Sequence, residues 1–558
     1  MHSVVVALKK TSRMTGSFLT TSVGAFLLGA GLGILFFILF YGTKVIDPSY
    51  TDWLLGGDLR QHFLGWEFYR DSPWSVPLGM IPQLAYPFGI SITYMDSIPI
   101  IAIPLKIFES MLPNHFQYFG VWGLLCYALQ GGIAALIIRR WSKNVLVVLC
   151  GSIIFIASPM VIARMFAHTA LAGQWIVLLA ILAFLELRRY AKPWLFITIW
   201  SGIFVLAAGT HPYFLPMVAL PFVMAIIMSH KQWTVSVIKT AIPPAIGAAF
   251  FWLIGGLAVK GSANGLGEYA FNLSSLYNPL NYSAFLETQP IASTSGETMN
   301  YFGLGMALLT VVAIVIFIYN HRSFKRIKRV LVRFKNPRYI LIALSVLALL
   351  VVATSPRVQW GVKIIVDLNV PEKIERLWGT FRAGGRLFWP VYYLLAAGVL
   401  WYVIRSLRHH SLVLVSILAI ATTMQVADIV GSPAAIEKHV KFMQIDQGEI
   451  YATSRVEQRE PFAATKQHMV YLDTIFPEDF YALADIALKY DLTMNTGYFA
   501  RSPEQQIIAY QADQKAMVLK GTADFDTNLY VTKDPTIAQE MQVAGREVTI
   551  VSGYYVVN

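Results

Sequence analysis

Four short stretches of this chain carry residue types that move protons or bind anions. The first opens with Gly56-Gly57-Asp58 and continues through Leu59 to Arg70, with Leu59, Phe63 and Trp66 at helical spacing. Asp58 therefore stands at a helix start, where two roles are open to a carboxylate. It can satisfy free backbone N–H groups and favour the positive end of the helix dipole. Backed by glycines that admit a ligand closely, it can instead serve as a general base. Strong capping lowers a carboxyl pKa and weakens it as a base, so the two roles compete. The same segment supplies the polar residues Arg60, Gln61, His62 and Glu67, while Trp66, Phe68, Tyr69 and Trp74 read as interfacial anchors. Asp71-Ser72-Pro73 ends the helix, and Asp96 precedes a short apolar stretch.

The second stretch is the tight turn Gly209-Thr210-His211-Pro212-Tyr213-Phe214, in which His211 either hydrogen-bonds a neighbouring carbonyl or meets a phosphate or sugar. His168 and Arg164 lie at another turn on the same side and could converge with it, a two-histidine metal site being the less favoured alternative. The third stretch runs from Trp378 to Pro390 and sets Arg382 and Arg386 around a glycine pair. Arginine suits bidentate phosphate recognition, and i, i+4 spacing places both guanidinium groups on one face if the segment is helical. The competing reading is that both snorkel to lipid headgroups. The fourth, Asn272 to Pro279, offers Asn272 and Tyr277 to a sugar hydroxyl network or simply forms a turn cluster.

The elements that must hold these residues are largely apolar. Of 558 residues 56% are hydrophobic and 14% charged, with a mean hydropathy of +0.55, outside the range of soluble domains. A hydrocarbon core about 30 Å thick takes around 20 apolar residues per helix. Stretches of this kind predict about eleven transmembrane helices, near 17–42, 118–138, 144–163, 170–187, 193–209, 213–229, 240–259, 301–319, 339–354, 387–404 and 411–430. The run from Ile98 to Leu112 is too short to span and reads as an interfacial or re-entrant element. Both cysteines, Cys126 and Cys150, fall in apolar spans, so no disulfide framework is expected. The first apolar run follows Lys9, Lys10 and Arg13 and lacks a small-residue cleavage site, so it is expected to stay as an anchor.

Charge orients this array. With the N-terminus cytoplasmic, the inner segments hold 21 Lys/Arg, including the eight basic residues from Arg322 to Arg338, against the single acid Glu186. The outer segments hold the other 23 Lys/Arg and 31 Asp/Glu, so the net charge of +12 divides into +20 inside and −8 outside. The positive-inside rule accounts for the basic balance, and no nucleic-acid partner is implied. Three long loops, 42–117, 260–300 and 355–386, then face outward, which is where binding and chemistry are expected. Residues 1–430 form the membrane module. Residues 431–558 alternate short strands and amphipathic helices (Met469–Leu472, Glu478–Tyr490, Leu492–Asn495, Pro503–Leu519, Leu529–Thr532, Val548–Val557), predicting an extracytoplasmic α/β domain.

One N-terminal span, a long first outer loop with an early Asp, about eleven spans and a C-terminal outer domain together resemble the GT-C superfamily of membrane glycosyltransferases. The Gly-Gly-Asp58 start with Gln61-His62, the Gly209 to Phe214 run, Asn272 to Pro279 and Arg382 to Pro390 resemble a bacterial subgroup of it. The resemblance implies a GT-C-like fold in the plasma (inner) membrane. It implies transfer of a sugar from a polyprenyl-phosphate-type carrier to an envelope glycan or glycolipid acceptor on the non-cytoplasmic face. Asp58 would be the general base, with Arg382, Arg386 and His211 on the donor phosphate, and Arg60, His62, Glu67, His168, Asn272 and Tyr277 around substrate. Members that hold a divalent metal use two closely spaced acids. Here the acids nearest Asp58 are Asp52 and Glu67, so no metal ligands are assigned, and a divalent metal is the less favoured alternative to a metal-independent inverting displacement. A flippase or exporter of lipid-linked glycans, or a non-catalytic scaffold of an envelope complex, shares the same spans; ion-coupled transport usually places ionisable residues mid-membrane, and the span interiors are nearly free of charge, with Glu186 close to an inner edge.

Overall fold

The computed structural model describes residues 19–186, 192–229, 233–259, 267, 269–292, 299–321, 335–381, 383–447, 461–473, 477–551 and 553–558. Its helices begin with α1 (Ser22–Tyr41), α2 (Gly57–Asp71), α3 (Pro99–Lys106), α4 (Phe119–Arg139), α5 (Val145–Ile156), α6 (Pro159–Arg164) and α7 (Trp175–Leu185). There follow α8 (Pro193–Thr210), α9 (Phe214–Ser229), α10 (Trp233–Leu253), α11 (Leu304–Asn320), α12 (Pro337–Thr354) and α13 (Glu372–Gly379). The last helices of this array are α14 (Trp389–Leu407) and α15 (Ser411–Val430).

Seven described segments are helical, long and apolar enough to cross a membrane: α1, α4, α8, Ser236–Leu253 of α10, α12, Gly384–Leu407 including α14, and α15. Four further apolar helices, in Val145–Ile156, Thr169–Leu185, Phe214–Ser229 and Leu304–Asn320, are shorter. All eleven apolar stretches of the sequence thus contain helix, while the 98–112 run forms only α3 and one 3-10 turn at Glu109–Met111. Along α12, Ile340, Leu341, Leu344, Leu347 and Val351 are about half exposed, an apolar face of the kind that water does not cover favourably. Where helices do pack, small residues set the distance. A Cβ on Gly29 of α1 would stand 2.2 Å from the Gly131 carbonyl oxygen of α4, so only glycine lets these two backbones meet.

Polar groups buried in the array are tied to partners. Asp428, near the end of α15, accepts from Tyr301 Oη at 2.7 Å, the Leu304 amide at 3.0 Å and Ser283 Oγ. Glu186 pairs with Arg140. After α15 comes α16 (Pro433–Asp446), whose terminal Asp446 accepts from the amides of Thr43 (2.6 Å) and Lys44 (2.7 Å), just past the end of α1.

The C-terminal region contains a five-stranded sheet. Its elements are β5 (His468–Tyr471), α17 (Pro477–Lys489), β6 (Thr493–Met494), α18 (Glu504–Leu519), β7 (Asn528–Thr532), α19 (Pro535–Val543), β8 (Val548–Val551) and β9 (Tyr554–Val557). Strands β1 to β4 are two small hairpins elsewhere, Met80–Ile81 with Ile90–Ser91 and Arg357–Trp360 with Lys363–Asp367. The large sheet runs β6-β5-β7-β9-β8, parallel from β6 to β7 and antiparallel thereafter. The segment Val548–Val557 is therefore two strands rather than one, turning at Gly553 with φ +80°. Helix α19 had no counterpart among the expected elements.

This sheet does not hang free. Leu84 of the first long loop bridges Met494 of the edge strand in parallel fashion: Met494 N–H donates to the Gln83 carbonyl (2.7 Å), and Tyr86 N–H donates to the Met494 carbonyl (2.9 Å). Tyr86 stacks on His468 with ring centroids 4.4 Å apart. Buried Arg60 of α2 pairs with Asp485 of α17. The first long loop and the C-terminal region thus share one interface, built by covering a sheet edge that would otherwise expose unpaired backbone.

Candidate functional site

Helix α2 and the segment 93–98 form one wall of the site. The N-cap of α2 is Gly56, with no side-chain cap bond, and Asp58 sits in the first turn, so the capping role expected of its carboxylate is not realised. Gly65 faces the 93–98 segment, and a Cβ there would lie 2.5 Å from both Met95 Cβ and Ser97 Oγ. That approach lets Ser97 Oγ donate to the His62 carbonyl (2.7 Å), while Tyr118 Oη donates to the Ser97 carbonyl. The segment is held in a sparsely populated conformation, with φ +56° at Asp96 and +53° at Ile98. For an isoleucine this costs about 1–3 kcal/mol, sustained by the surrounding bonds. Its effect is to turn the Asp96 carboxylate toward three histidines from three parts of the chain.

His211, the C-cap of α8, accepts the Tyr213 amide at Nδ1 (3.2 Å). Because an amide can only donate, Nδ1 is unprotonated and Nε2 carries the hydrogen that it gives to Asp96 Oδ1 at 3.1 Å. The other oxygen, Oδ2, faces His62 Nε2 and His168 Nδ1, each at 3.6 Å. The far nitrogen of His168 lies 3.8 Å from Asp58 Oδ2. Burial alone would raise the Asp96 carboxyl, but His211, His168 and His62 outweigh it and hold it well below the usual carboxylate range. Burial likewise pushes His62 down to about 4, against the pull of Asp96. At neutral pH Asp96 is thus an anion and His62 a neutral imidazole.

Asp96, His168 and His211 open onto a cavity of ≈ 280 Å³. Arg386, 8% exposed, also lines it, its guanidinium 5.1 Å from the Tyr213 ring centroid. Arg501 lines it too, donating to the Thr380 carbonyl (3.1 Å) and lying 5.9 Å from the Tyr94 ring centroid. Tyr94, Phe251, Phe381, Tyr498 and Phe499 add an apolar lining. The 498–501 segment is tied down by Gln61 Nε2 donating to the Tyr498 carbonyl (2.8 Å) and by Ala500 N–H donating to the Tyr94 carbonyl (3.0 Å). One cavity therefore brings together a carboxylate, imidazoles and two guanidinium groups on a partly aromatic lining.

The sequence candidates divide around it. His168, His211 and Arg386 line the cavity; His62 is wholly buried behind Asp96, and Asp58 lies behind His168. Arg60 is turned away to Asp485, and Glu67 does not line the cavity. Arg164, expected to converge with His168 and His211, also stays outside. Asn272 is structural: its side chain caps Leu273–Leu276 and exchanges bonds with the Gly361 backbone. Tyr277, 43% exposed, packs near Trp360 instead. Arg382 lies outside the described residues. On either side of it, α13 ends at Gly379 and Gly384–Phe388, which holds Arg386, is a 3-10 turn. Three expected anchors, Trp66, Phe68 and Tyr69, are buried, with Trp66 Nε1 donating to the Phe116 carbonyl; among the four only Trp74 is substantially exposed.

Two residues were overlooked in sequence. In sequence Asp96 reads only as preceding an apolar run, although an acid between Tyr94-Met95 and Ser97-Ile98 is itself unusual. Arg501 gave no signal, since only the docking of the C-terminal region brings it to the cavity.

The chain matches the model of a family described as Domain of unknown function (DUF6311) over residues 30–430. It matches the DUF6311 C-terminal domain over residues 460–558. The chain belongs to this family. No curated protein matches it.

Proposed function

We propose that this DUF6311 protein is a membrane glycosyltransferase that moves a sugar from a polyprenyl-phosphate-type carrier to a glycan or glycolipid acceptor. In this reading all eleven apolar helices cross the bilayer, the shorter ones being completed by flanking residues. The N-terminus is cytoplasmic and the C-terminal domain extracytoplasmic, as the +20 against −8 charge division favours. One observation carries the reading. Every residue lining the cavity comes from a loop or helix end that this charge division assigns to the non-cytoplasmic side, including Asp96, His168, His211, Arg386 and Arg501.

The chemistry follows from what the walls offer. Arg386 and Arg501 receive the carrier phosphate, and the aromatic lining accepts the sugar face and the start of the lipid chain. Asp58, exposed at 39% beside His168, takes the proton of the acceptor hydroxyl. The acceptor oxygen forms the new bond to the anomeric carbon, while the bond from that carbon to the phosphate oxygen breaks. The phosphate leaves with the electron pair, its charge stabilised by the arginines. Asp96 is a poor base because its histidine neighbours favour the anion; it organises the imidazoles instead.

The test is transfer of radiolabelled sugar from a polyprenyl phosphosugar to acceptor by purified protein in liposomes. Asp58→Asn should fold normally and lose transfer. Movement of labelled lipid across the bilayer without transfer would replace this reading with that of an exporter.

A further inference from the structure

Among the described residues one group of side chains, two histidines and one aspartate, has the spacing of a metal site. His62, Asp96 and His168 each bring one ligand atom within 4.8 Å of the others. Asp96 Oδ2 stands 3.6 Å from His62 Nε2 and 3.6 Å from His168 Nδ1. A tetrahedral ion with bonds of about 2.0–2.1 Å separates its ligand atoms by roughly 3.3–3.5 Å, so those two edges need little adjustment.

A second observation points to a ligand independently. His62 is completely buried, and neither of its ring nitrogens has a hydrogen-bond partner, although a buried polar group normally finds one. Its Nε2 is aimed at Asp96 Oδ2 across a gap longer than a hydrogen bond. A bound cation between them satisfies both atoms and leaves Nδ1 as the one nitrogen unaccounted for. The surroundings also hold the ligands as metal sites do. His211 donates to the oxygen of Asp96 that faces away from the cluster, and the distal nitrogen of His168 points at Asp58, the carboxylate–histidine–metal arrangement.

We propose that His62 Nε2, Asp96 Oδ2 and His168 Nδ1 bind one divalent transition-metal ion, with zinc the preferred occupant and a coordination position open to the cavity. Two imidazoles and one carboxylate favour such an ion over magnesium or calcium, which take oxygen ligands. Three protein ligands with an open fourth place is the pattern of a site that binds substrate oxygen. The open place faces the cavity lined by Arg386, so a phosphate or hydroxyl oxygen is the class of ligand it takes. That last assignment rests on the transferase reading, whereas binding of the ion does not.

The experiment uses full-length protein in detergent, stripped with chelator and titrated with Co²⁺. One equivalent per chain should bind with visible d–d absorption, be displaced by Zn²⁺, and resist a large excess of Mg²⁺. His168→Ala, in a residue 27% exposed and outside the core, should abolish the signal while the protein stays monodisperse. His62→Ala should do the same, and His211→Ala should weaken binding by about 10–100-fold. No stoichiometric binding, or binding that persists in the His62→Ala/His168→Ala double variant, would overturn the site. Because the readout is absorption, a metal-loaded protein without sugar transfer would keep this site and reject the transferase reading, and transfer by a protein that binds no ion would do the reverse.

Discussion

Removing the Asp485 carboxylate should undock the C-terminal region from the first long loop. The partner, Arg60, has a side chain 3% exposed, against 21% for Asp485, and its Nη1 has no hydrogen-bond partner, so Asp485 is its principal compensation. Breaking a buried pair by removing one member costs about 3–5 kcal/mol, because the charge left behind stays desolvated. The partial exposure of Asp485 argues for the lower end, about 3 kcal/mol. At about 1.4 kcal/mol per decade, the undocked population should rise roughly 100-fold in Asp485→Ala. Hydrogen exchange reads this at amides that bridge the two parts: Tyr86, bonded to Met494, Met494, bonded to Gln83, and Ala500, bonded to Tyr94. Their protection should fall together by about that factor, while amides within α4 stay unchanged. Arg60→Met/Asp485→Leu should recover most of the protection, since apolar replacement of both partners removes the stranded charge. Unchanged protection in Asp485→Ala, or a double variant as open as the single one, would refute the reasoning.

Other substitutions probe the site and its supports. Arg386→Ala should weaken apparent donor affinity about 10–100-fold, as expected for loss of about 1.5–3 kcal/mol of charge-assisted hydrogen bonding, and an unchanged KM would remove Arg386 from phosphate binding. Gly65→Ala must push Met95 and Ser97 away from α2, so it should lower both metal binding and transfer while leaving the C-terminal sheet intact; wild-type behaviour would mean the 93–98 segment yields at no cost. Asp446→Asn should lower thermal stability by about 1–2 kcal/mol, partly exposed bonds being discounted from the usual charged value. Burial alone would raise the Asp446 carboxyl, but the Lys44 and Thr43 amides and the Thr43 hydroxyl outweigh it and hold it below its ordinary value. With the folded pKa depressed, its contribution is complete above the unfolded value of about 3.9 and fades as pH falls through the lower folded value. Asp446→Asn should therefore flatten the acid limb of the stability profile, and an identical limb would show that the contact carries no weight.

Helix positions were readable in the sequence because an apolar run of about 20 residues has few other solutions. All eleven runs contain helix, while the 98–112 stretch, read as too short to span, forms only the 8-residue helix α3 and one 3-10 turn. The strand–helix alternation of the tail was legible for the same local reason, apart from α19 and the turn at Gly553. His168, His211 and Arg386 could be picked out because polar residues at apolar helix ends stand out against their neighbours. Burial was not legible: Trp66 and Tyr69 look like surface anchors in sequence, and only the packing of α2 beneath the rest of the first loop encloses them.

What tertiary structure alone decided is which of these residues meet. Asp96 joins His62, His168 and His211 because Gly65 admits a strained segment against α2, a condition set by residues 30 apart or more and by no local pattern. Arg60, one residue from Gln61 and two from His62, is drawn out of the site by an aspartate 425 residues away. Arg501 enters it because a sheet edge is covered by the first loop. Hydrophobicity and charge, being local properties, are written along the chain; the convergence of single polar groups depends on long-range packing, and there the site was made.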